Sequence, residues 1–243
     1  MDIITAWMVA LIVSVAPASN HTRIEAARET KEETAVRYGE IAEDLISVVY
    51  DEKEQPLFRG PQGRAKTAAV ILAIARYESD FRRDVDFGEG PRARGDGGKS
   101  WCLGQINLGE PNKVGDTPRR IGVDQAGYFR WSERGQGFSG PDLVQDRRNC
   151  FRAMLWVART SFAICGHVYK KQPEFWLNLY VASNCMRGYE SSEKRMTLAK
   201  RWAQKKMPGV EDKVVMNQIS QKQIGHATAS PPLTRLSLIA SAH

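Results

Sequence analysis

Apolar residues recur three and four positions apart over most of the chain, which is the spacing of an amphipathic α-helix. Five stretches of this kind predict helices, at residues 22–51, 65–81, 142–163, 173–184 and 191–206. The second stretch is apolar nearly all round and contains no glycine or proline, so we expect it at the centre of the fold. The pattern therefore predicts a mainly α-helical protein.

The stretches between these helices have a different composition. Residues 84–100 contain five glycines and a proline and predict a long loop, while residues 101–108 predict a short extended segment. Residues 109–140 are again rich in loop-forming residues, with scattered aromatic side chains. Loops of this length inside a domain are often functional. The periodic signal fades after position 207, which predicts a weakly structured tail over residues 208–243.

The first apolar run, residues 3–15, is too short to span a bilayer, which takes about 20 apolar residues. Its length fits the core of a signal peptide, and the Ala-Pro-Ala sequence at 16–18 resembles a small-residue cleavage site. Against export, Asp2 stands where a signal peptide carries a basic residue. Residues 1–19 are therefore predicted to be a signal peptide or a membrane-proximal segment, and the alternative is a short buried helix.

The overall composition fits one globular domain with appendages, since 42% of the residues are hydrophobic and 26% are charged. The net charge of +7 favours an anionic partner such as nucleic acid, a membrane surface or an acidic cell wall. No nucleic-acid-binding motif accompanies this charge, so nucleic acid is not an expected partner. The cysteine spacing does not suit zinc, and we expect no metal and no cofactor.

An even number of cysteines permits two disulfides among Cys102, Cys150, Cys165 and Cys185, with three possible connectivities. If residues 142–163 form one helix, Cys150 and Cys165 lie about 22 Å apart at 1.5 Å per residue. A disulfide requires Cα atoms within about 7 Å, which argues against that pair. The alternative is four buried thiols.

Glu78 is the candidate for chemistry, because it shares a helix face with Ile71 and Ile74. Burial of a carboxyl among apolar side chains raises its pKa, so that it keeps its proton near neutral pH. Such an acid, facing a cleft, can protonate a glycosidic oxygen. The alternative is a Glu that turns to solvent or pairs with one of three neighbouring arginines, Arg76, Arg82 and Arg83.

Four segments together resemble the lytic transglycosylases of the lysozyme superfamily. Residues 75–81, ARYESDF, look like the catalytic Glu-Ser motif, and residues 100–107, SWCLGQIN, resemble the Gly-Leu-Met-Gln-Ile segment of that family. Residues 142–146, DLVQD, are similar to its Asp-Pro-x-x-Asn helix start, and 179–183, LYVAS, lie where the family has Ala-Tyr-Asn-Ala-Gly. The resemblance covers residues 65–190.

The resemblance implies an α+β, lysozyme-like fold: a helical domain over residues 56–207, with one glycine-rich loop and a short β segment flanking a glycan groove. Residues 20–55 then form a preceding helix. Glu78 would act first as acid and then as base. Gln105 and the backbone around Leu103 and Ile106 would line the groove, Tyr180 would approach Glu78, and Ser79 would support the helix end. The alternatives are that Gln105 bonds only the local backbone and that Tyr180 belongs to the core.

The chain departs from the family pattern at three matched positions. Cys102 replaces a Gly, Gly104 a Met and Val181 an Asn, while Cys150 falls near a position where the family often has Gly. The two cysteine substitutions would mark a disulfide between the groove strand and the following helix.

The function implied by the resemblance is cleavage of the MurNAc–GlcNAc β-1,4 bond of peptidoglycan glycan strands, with one catalytic Glu and 1,6-anhydro products. A single acid fits this route, because the position of the second acid in animal lysozymes falls at Ser100. One alternative is a hydrolytic lysozyme in which Asp96 positions water; Asp84, Asp86 and Glu89 are further candidates, and Asp96 is otherwise a turn residue.

Two further alternatives are a non-catalytic wall-binding or virion structural protein and a chitinase or chitosanase. The expected location is exported, periplasmic or in the cell envelope, or else on a virion. Residues 3–15 offer a possible association with a membrane.

Overall fold

The computed structural model describes residues 2–17, 25–109, 119–132 and 136–204, together with Pro208, Asp212, Val215 and Met216. About 61% of these residues are helical, which confirms the prediction of a mainly α protein. The α-helices of the described residues are α1 Ile3–Val15, α2 Lys31–Val49, α3 Gly63–Ser79, α4 Arg83–Asp86, α5 Gly140–Gln145, α6 Arg147–Val168, α7 Asn178–Ala182 and α8 Tyr189–Gln204.

Helix α3 lies at the centre and contacts α1, α2, α6 and α8. Its aliphatic residues are buried all round, as the absence of a polar face predicts. The helix ends two residues earlier than residue 81, because Asp80 and Phe81 have left-handed backbone angles, with φ of 54° and 51°. Glu78 therefore lies in the last turn of α3.

Helix α1 packs into the same core as α2 and α3. Ile4, Met8 and Ile12 are fully buried. The Asp2 carboxylate caps the helix by accepting hydrogen bonds from the backbone N–H groups of Ile4 and Thr5, which gives this acidic residue a local structural role. The packing is the arrangement that the buried-helix alternative predicts. Among the described residues, no helix combines the length and the apolar character needed to cross a membrane.

The predicted first long helix, 22–51, is wrong at its N-terminus. Helix α2 begins at Lys31, because Thr30 and Glu33 form a capping box with both reciprocal hydrogen bonds. Before it, Glu25–Ala27 forms a 3-10 turn, and residues 22–24 lie outside the described residues.

The predicted single helix 142–163 is wrong, since two helices occupy this stretch. Asp146 separates α5 from α6 with an extended backbone, and its carboxylate accepts a hydrogen bond from the Arg148 N–H at the start of α6. Helix α6 then continues to Val168. It carries both Cys150 and Cys165, so the long separation inferred between these two cysteines holds.

The predicted helix 173–184 is interrupted. It consists of a 3-10 turn, Pro173–Phe175, and the short α7, which Ser183 ends with a φ of 53°. Helix α8 begins two residues before the predicted 191–206, and residues 205–206 lie outside the described part of the chain.

Two antiparallel hairpins lie in the stretches that lacked helical periodicity. The predicted extended segment 101–108 is a hairpin, in which β1 (Ser100–Trp101) pairs with β2 (Ile106–Asn107). The loop predicted at 109–140 contains a second hairpin, in which β3 (Arg120–Val123) pairs with β4 (Phe129–Ser132). Positions 110–118 and 133–135 are not described. The loop predicted at 84–100 also contains helix, namely most of α4 and a 3-10 turn at Asp96–Gly98.

Two disulfides connect helix α6 to its surroundings. Cys102 in the β1–β2 turn bonds Cys150, with Cα atoms 6.1 Å apart, and Cys165 bonds Cys185 beyond α7, with Cα atoms 5.3 Å apart. Disulfides persist in oxidising compartments, so this pair of bonds is consistent with export from the cytosol.

The predicted tail, 208–243, lies outside the described residues except for four positions. The Arg64 N–H donates a hydrogen bond to the Asp212 carboxylate, Gln62 donates to the Pro208 carbonyl oxygen, and Val215 is buried. These contacts bring the start of this segment against the first turn of α3.

A candidate active-site cleft around Glu78

Glu78 opens onto a cleft of about 480 Å³ at the C-terminal end of α3. The walls come from the 95–100 turn, the β1–β2 hairpin, strand β4, and helices α6 and α7. The lining contains residues that the sequence predicted for the site and others that it did not. It comprises Glu78, Gly95, Asp96, Ser100, Gln105, Ile106, Asn107, Phe129, Trp131, Val157, Leu179, Tyr180, Val181 and Ser183.

The Glu78 side chain is 20% exposed, and its Oε1 accepts a hydrogen bond from Arg195 Nη2 at 2.7 Å. Burial raises the pKa of Glu78, the nearby Asp96 carboxylate raises it further, and Arg195 opposes both; the net pKa lies above the usual value. Glu78 does not pair with any of the three arginines that are close to it in the sequence. These arginines bind other carboxylates: Arg76 binds Asp80, Arg82 binds Asp84 and Arg83 binds Glu89.

Asp96 lies in the same cleft, although its sequence context is that of a turn. Its Oδ2 accepts hydrogen bonds from Ser100 Oγ at 2.7 Å and from Asn107 Nδ2 at 3.1 Å. These contacts hold the carboxylate at the start of the β1–β2 hairpin, and its backbone has a φ of 51°. Asp96 is therefore both a turn residue and a residue that lines the cleft.

The three other carboxylates proposed to position water are not among the lining residues. Asp86 is 4% exposed and pairs with Arg147 Nε at 2.8 Å and with Arg37. Asp84 is bound by Arg82, and Glu89 by Arg83. All three carboxylates are therefore engaged in ion pairs outside the lining of the cleft.

Gln105 lines the cleft, but its amide is engaged with the backbone. Its Oε1 accepts from the Gly95 N–H at 2.7 Å, and its Nε2 donates to the Cys102 carbonyl oxygen at 3.1 Å and more weakly to that of Ala93. All these hydrogen bonds of the Gln105 amide are to nearby backbone atoms, as the alternative interpretation of this residue predicts. Gln105 fixes the turn that carries Asp96.

Three further predicted residues occupy different places. Ile106 lines the cleft, while Leu103 is fully buried in the core and does not face it. Ser79 is also buried, and its hydroxyl donates to the Ala75 carbonyl oxygen at 2.9 Å, so that it supports the end of α3.

Tyr180 connects α7 to the β1–β2 turn across the cleft. Its hydroxyl donates to the Gly104 carbonyl oxygen at 2.8 Å. Burial and the charge of Glu78 raise the pKa of Tyr180 well above its usual value, which keeps the phenol neutral. A Cβ on Gly104 would lie 2.9 Å from Tyr180 Oη and would collide with Met154. This crowding leaves no room for a larger side chain at position 104.

No family model, no curated protein and no solved structure matches this chain. The lysozyme-like details of the fold therefore remain a prediction from the four motif segments. The described residues also contain no group of three or more His, Cys, Asp or Glu arranged to hold a metal ion.

Sequence reasoning missed three side chains at or beside the cleft: Phe129, Trp131 and Arg195. Phe129 and Trp131 lie two positions apart on β4 with ring centroids 5.4 Å apart, and Trp131 is 42% exposed. Their period-two spacing was a usable strand signal. Arg195 lies 117 positions after Glu78, so no local pattern could pair the two residues.

Proposed function

We propose that this protein cleaves the β-1,4 bond between MurNAc and GlcNAc in peptidoglycan, on a lysozyme-like fold, with Glu78 as the acid. One observation carries the proposal: a largely buried carboxyl, with a raised pKa, on the wall of a cleft of about 480 Å³. A carboxyl of this kind keeps its proton at a pH where an exposed one has lost it. Exposed aromatic faces and a few polar groups complete a lining typical of ligand clefts.

The reaction that fits a single acid has two steps. In the first, Glu78 donates its proton to the glycosidic oxygen, the C1–O bond breaks, and the N-acetyl carbonyl oxygen of the MurNAc residue bonds to C1. In the second, the Glu78 carboxylate removes the proton of the C6 hydroxyl, whose oxygen attacks C1 and displaces the acetamido oxygen. The product is a 1,6-anhydro sugar, Glu78 regains its proton, and no water is consumed.

A second candidate reaction is hydrolysis, and the location of Asp96 favours it. Asp96 lines the same cleft as Glu78, and its negative charge raises the pKa of the Glu78 carboxyl. A second carboxylate can act as base toward a water molecule in a hydrolytic glycosidase. The product would then carry a reducing-end MurNAc, so the two routes differ in the mass of the released sugar by one water.

The partner that we propose is the glycan strand of the cell wall. The net charge of +7 would hold the protein to anionic wall polymers. An exported location, in the periplasm, in the envelope or on a virion, agrees with the two disulfides. Non-catalytic wall binding on the same fold, and cleavage of chitin or chitosan, are the outcomes that the experiment must separate.

The test is digestion of purified sacculi, with chitin and chitosan in parallel, followed by mass spectrometry of the released fragments. Wild type should release 1,6-anhydromuropeptides, and Glu78→Gln should slow release by about 10²–10⁴-fold, the usual contribution of a general acid. Glu89→Gln is the matched control, because this exposed carboxylate pairs with Arg83 and does not line the cleft. Release at the wild-type rate by Glu78→Gln, or none by wild type, would contradict the proposal.

A further inference from the structure

Arg195 binds the candidate acid without being one of the residues that line the cleft. It lies on α8, and its Nη2 donates to Glu78 Oε1 at 2.7 Å. Its side chain is 9% exposed, its Nη1 donates to the Ser191 carbonyl oxygen at 2.7 Å, and its guanidinium lies 5.2 Å from the centre of the Tyr77 ring. These contacts hold the guanidinium at a fixed place against Glu78.

The remaining donor of Arg195 is a cost to the folded protein. Its Nε is buried and has no hydrogen-bond partner. A buried donor without a partner is destabilising. Arg159, with the same side-chain exposure of 9%, differs: its Nε, Nη1 and Nη2 all donate to Glu54 or to backbone oxygens. Arg159 thus uses all its nitrogens in structural contacts, whereas the contacts of Arg195 are with Glu78, the Ser191 carbonyl oxygen and the Tyr77 ring.

The two oxygens of Glu78 have different surroundings. Oε1 is bound by Arg195, whereas Oε2 accepts no hydrogen bond from the described residues. The ionisable groups that act on Glu78 from neighbouring elements are Arg195 on α8, Asp96 from the 95–100 turn and Tyr180 on α7. The Tyr180 hydroxyl donates to Gly104, so it does not compete for Oε2.

A guanidinium only donates hydrogen bonds, which decides where a proton on Glu78 can be. A protonated carboxyl carries its hydrogen on one oxygen, and that O–H cannot face another donor. With Arg195 against Oε1, the proton is on Oε2. Once the proton has been given away, the carboxylate that remains is next to a positive charge and is stabilised by it.

We propose that Arg195 is the positioning residue of this site: it binds Glu78 Oε1, directs the proton to the other oxygen, Oε2, and stabilises the carboxylate left after proton transfer. This inference rests on the proposed role of Glu78 as the acid. It predicts that Arg195 sets both the geometry and the working pH of Glu78.

The experiment compares Arg195→Gln and Arg195→Lys with Lys194→Gln, which removes one exposed positive charge from the same helix without contacting Glu78. The first readout is the ¹³C NMR titration of the Glu78 carboxyl, assigned by its disappearance in Glu78→Gln. The second is the pH profile of kcat/KM for glycan cleavage. Thermal unfolding and circular dichroism identify any variant that has lost its fold.

In Arg195→Gln we expect the Glu78 titration and the basic limb of kcat/KM to move together to higher pH, because the group that favours the ionised form is gone. Activity at the optimum should fall about 10- to 100-fold as the carboxyl loses its fixed place. Arg195→Lys should keep the titration near that of wild type but recover only part of the activity, since an ammonium replaces the planar fork. Lys194→Gln should resemble wild type.

An unchanged Glu78 titration in folded Arg195→Gln overturns the inference, even if the wild-type protein cleaves glycan. If Arg195→Gln does not fold, Arg195→Lys decides: full wild-type activity in that variant overturns the positioning role. Failure of the proposed function gives a different result, namely a shifted Glu78 titration together with no cleavage by wild type.

Discussion

The amide oxygen of Gln105 accepts a hydrogen bond from the Gly95 N–H at 2.7 Å, and this contact joins the glycine-rich turn to the β1–β2 hairpin. Asp96 follows Gly95 directly, so the position of the second carboxylate in the cleft depends on Gln105. The fit is close, because a Cβ on Gly95 would lie 2.5 Å from the Gln105 amide oxygen. Gln105 thus acts on the cleft through the backbone.

Gln105→Leu should therefore reduce glycan cleavage without removing a group that touches the reacting atoms. The change removes the acceptor of the half-buried Gly95 N–H, and the loss of this hydrogen bond costs about 0.5–1.5 kcal/mol of unfolding free energy. We expect kcat to fall by about tenfold or more as the turn shifts. Denaturant unfolding and steady-state kinetics measure the two effects. Wild-type kinetics with unchanged stability would show that the turn is held by other contacts.

Asp96→Asn should shift the pH dependence in the direction opposite to that of a change at Arg195. The Asp96 carboxylate raises the pKa of Glu78, so its removal lowers that pKa. Since the proposed reaction needs protonated Glu78, we expect the basic limb of kcat/KM to move to lower pH. A limb that stays in place would show that the two carboxylates do not interact in solution.

The same variant separates the two candidate reactions by their products. If a single acid suffices, Asp96→Asn still releases 1,6-anhydro sugars, and more than a tenth of the activity remains at the new optimum. If Asp96 is the base for water, wild type releases reducing MurNAc and the variant loses about 10²-fold or more. Mass spectrometry of sacculus digests distinguishes these results directly.

The two disulfides should differ in their importance for activity. The chain-entropy estimate gives about 4 kcal/mol for Cys102–Cys150 and about 3 kcal/mol for Cys165–Cys185, because the first closes the longer loop. Only the first includes a residue of the β1–β2 turn. We expect the Cys102→Ser/Cys150→Ser double variant to lose both stability and cleavage rate. The Cys165→Ser/Cys185→Ser double variant is the matched control and should lose mainly stability, and equal losses of rate would contradict this assignment.

Residues in α1 provide a test of whether this helix belongs to the mature protein. Met8 is fully buried, so Met8→Ala should lower the unfolding free energy by about 2–5 kcal/mol. Ile3 lies on the same helix but is 58% exposed, so Ile3→Ala should change the unfolding free energy by less than about 0.5 kcal/mol. Denaturant unfolding of protein recovered from an exporting host, with its intact mass, gives the answer. Identical stability of the two variants and a mass lacking residues 1–18 would mean that the segment is removed.

Helices α3 and α8 could be predicted from the sequence to within two residues at the ends that the structure describes, since each carries a continuous run of helix-forming residues. The break at Asp146 could not, because this residue also fits the interior of an exposed helix face, and only its cap to Arg148 shows the interruption. The β3–β4 hairpin was missed because its strands are four residues long and lie among glycines and arginines. Short strands depend on pairing with each other more than on their own composition.

The candidate site was predicted in part. Glu78 and Tyr180 carry their own local motifs, and the structure brings both to the same cleft together with Asp96 and Gln105. The sequence also predicted Leu103 as a residue that lines the groove, but its side chain is buried in the core. Arg195 had no motif at all, since its significance arises only when α8 packs against α3.

Helix α6 carries one cysteine of each disulfide, and this changes what backbone cleavage by a protease would do. A single cut between residues 103 and 149 divides the chain into two fragments, but Cys102–Cys150 still joins them. The cut protein would migrate as one species on a non-reducing gel and as two after a thiol is added. A cut within the loop-rich residues 109–140 would therefore leave both fragments in one covalently joined molecule, whereas a cut within the glycine-rich loop 84–100 lies outside this disulfide.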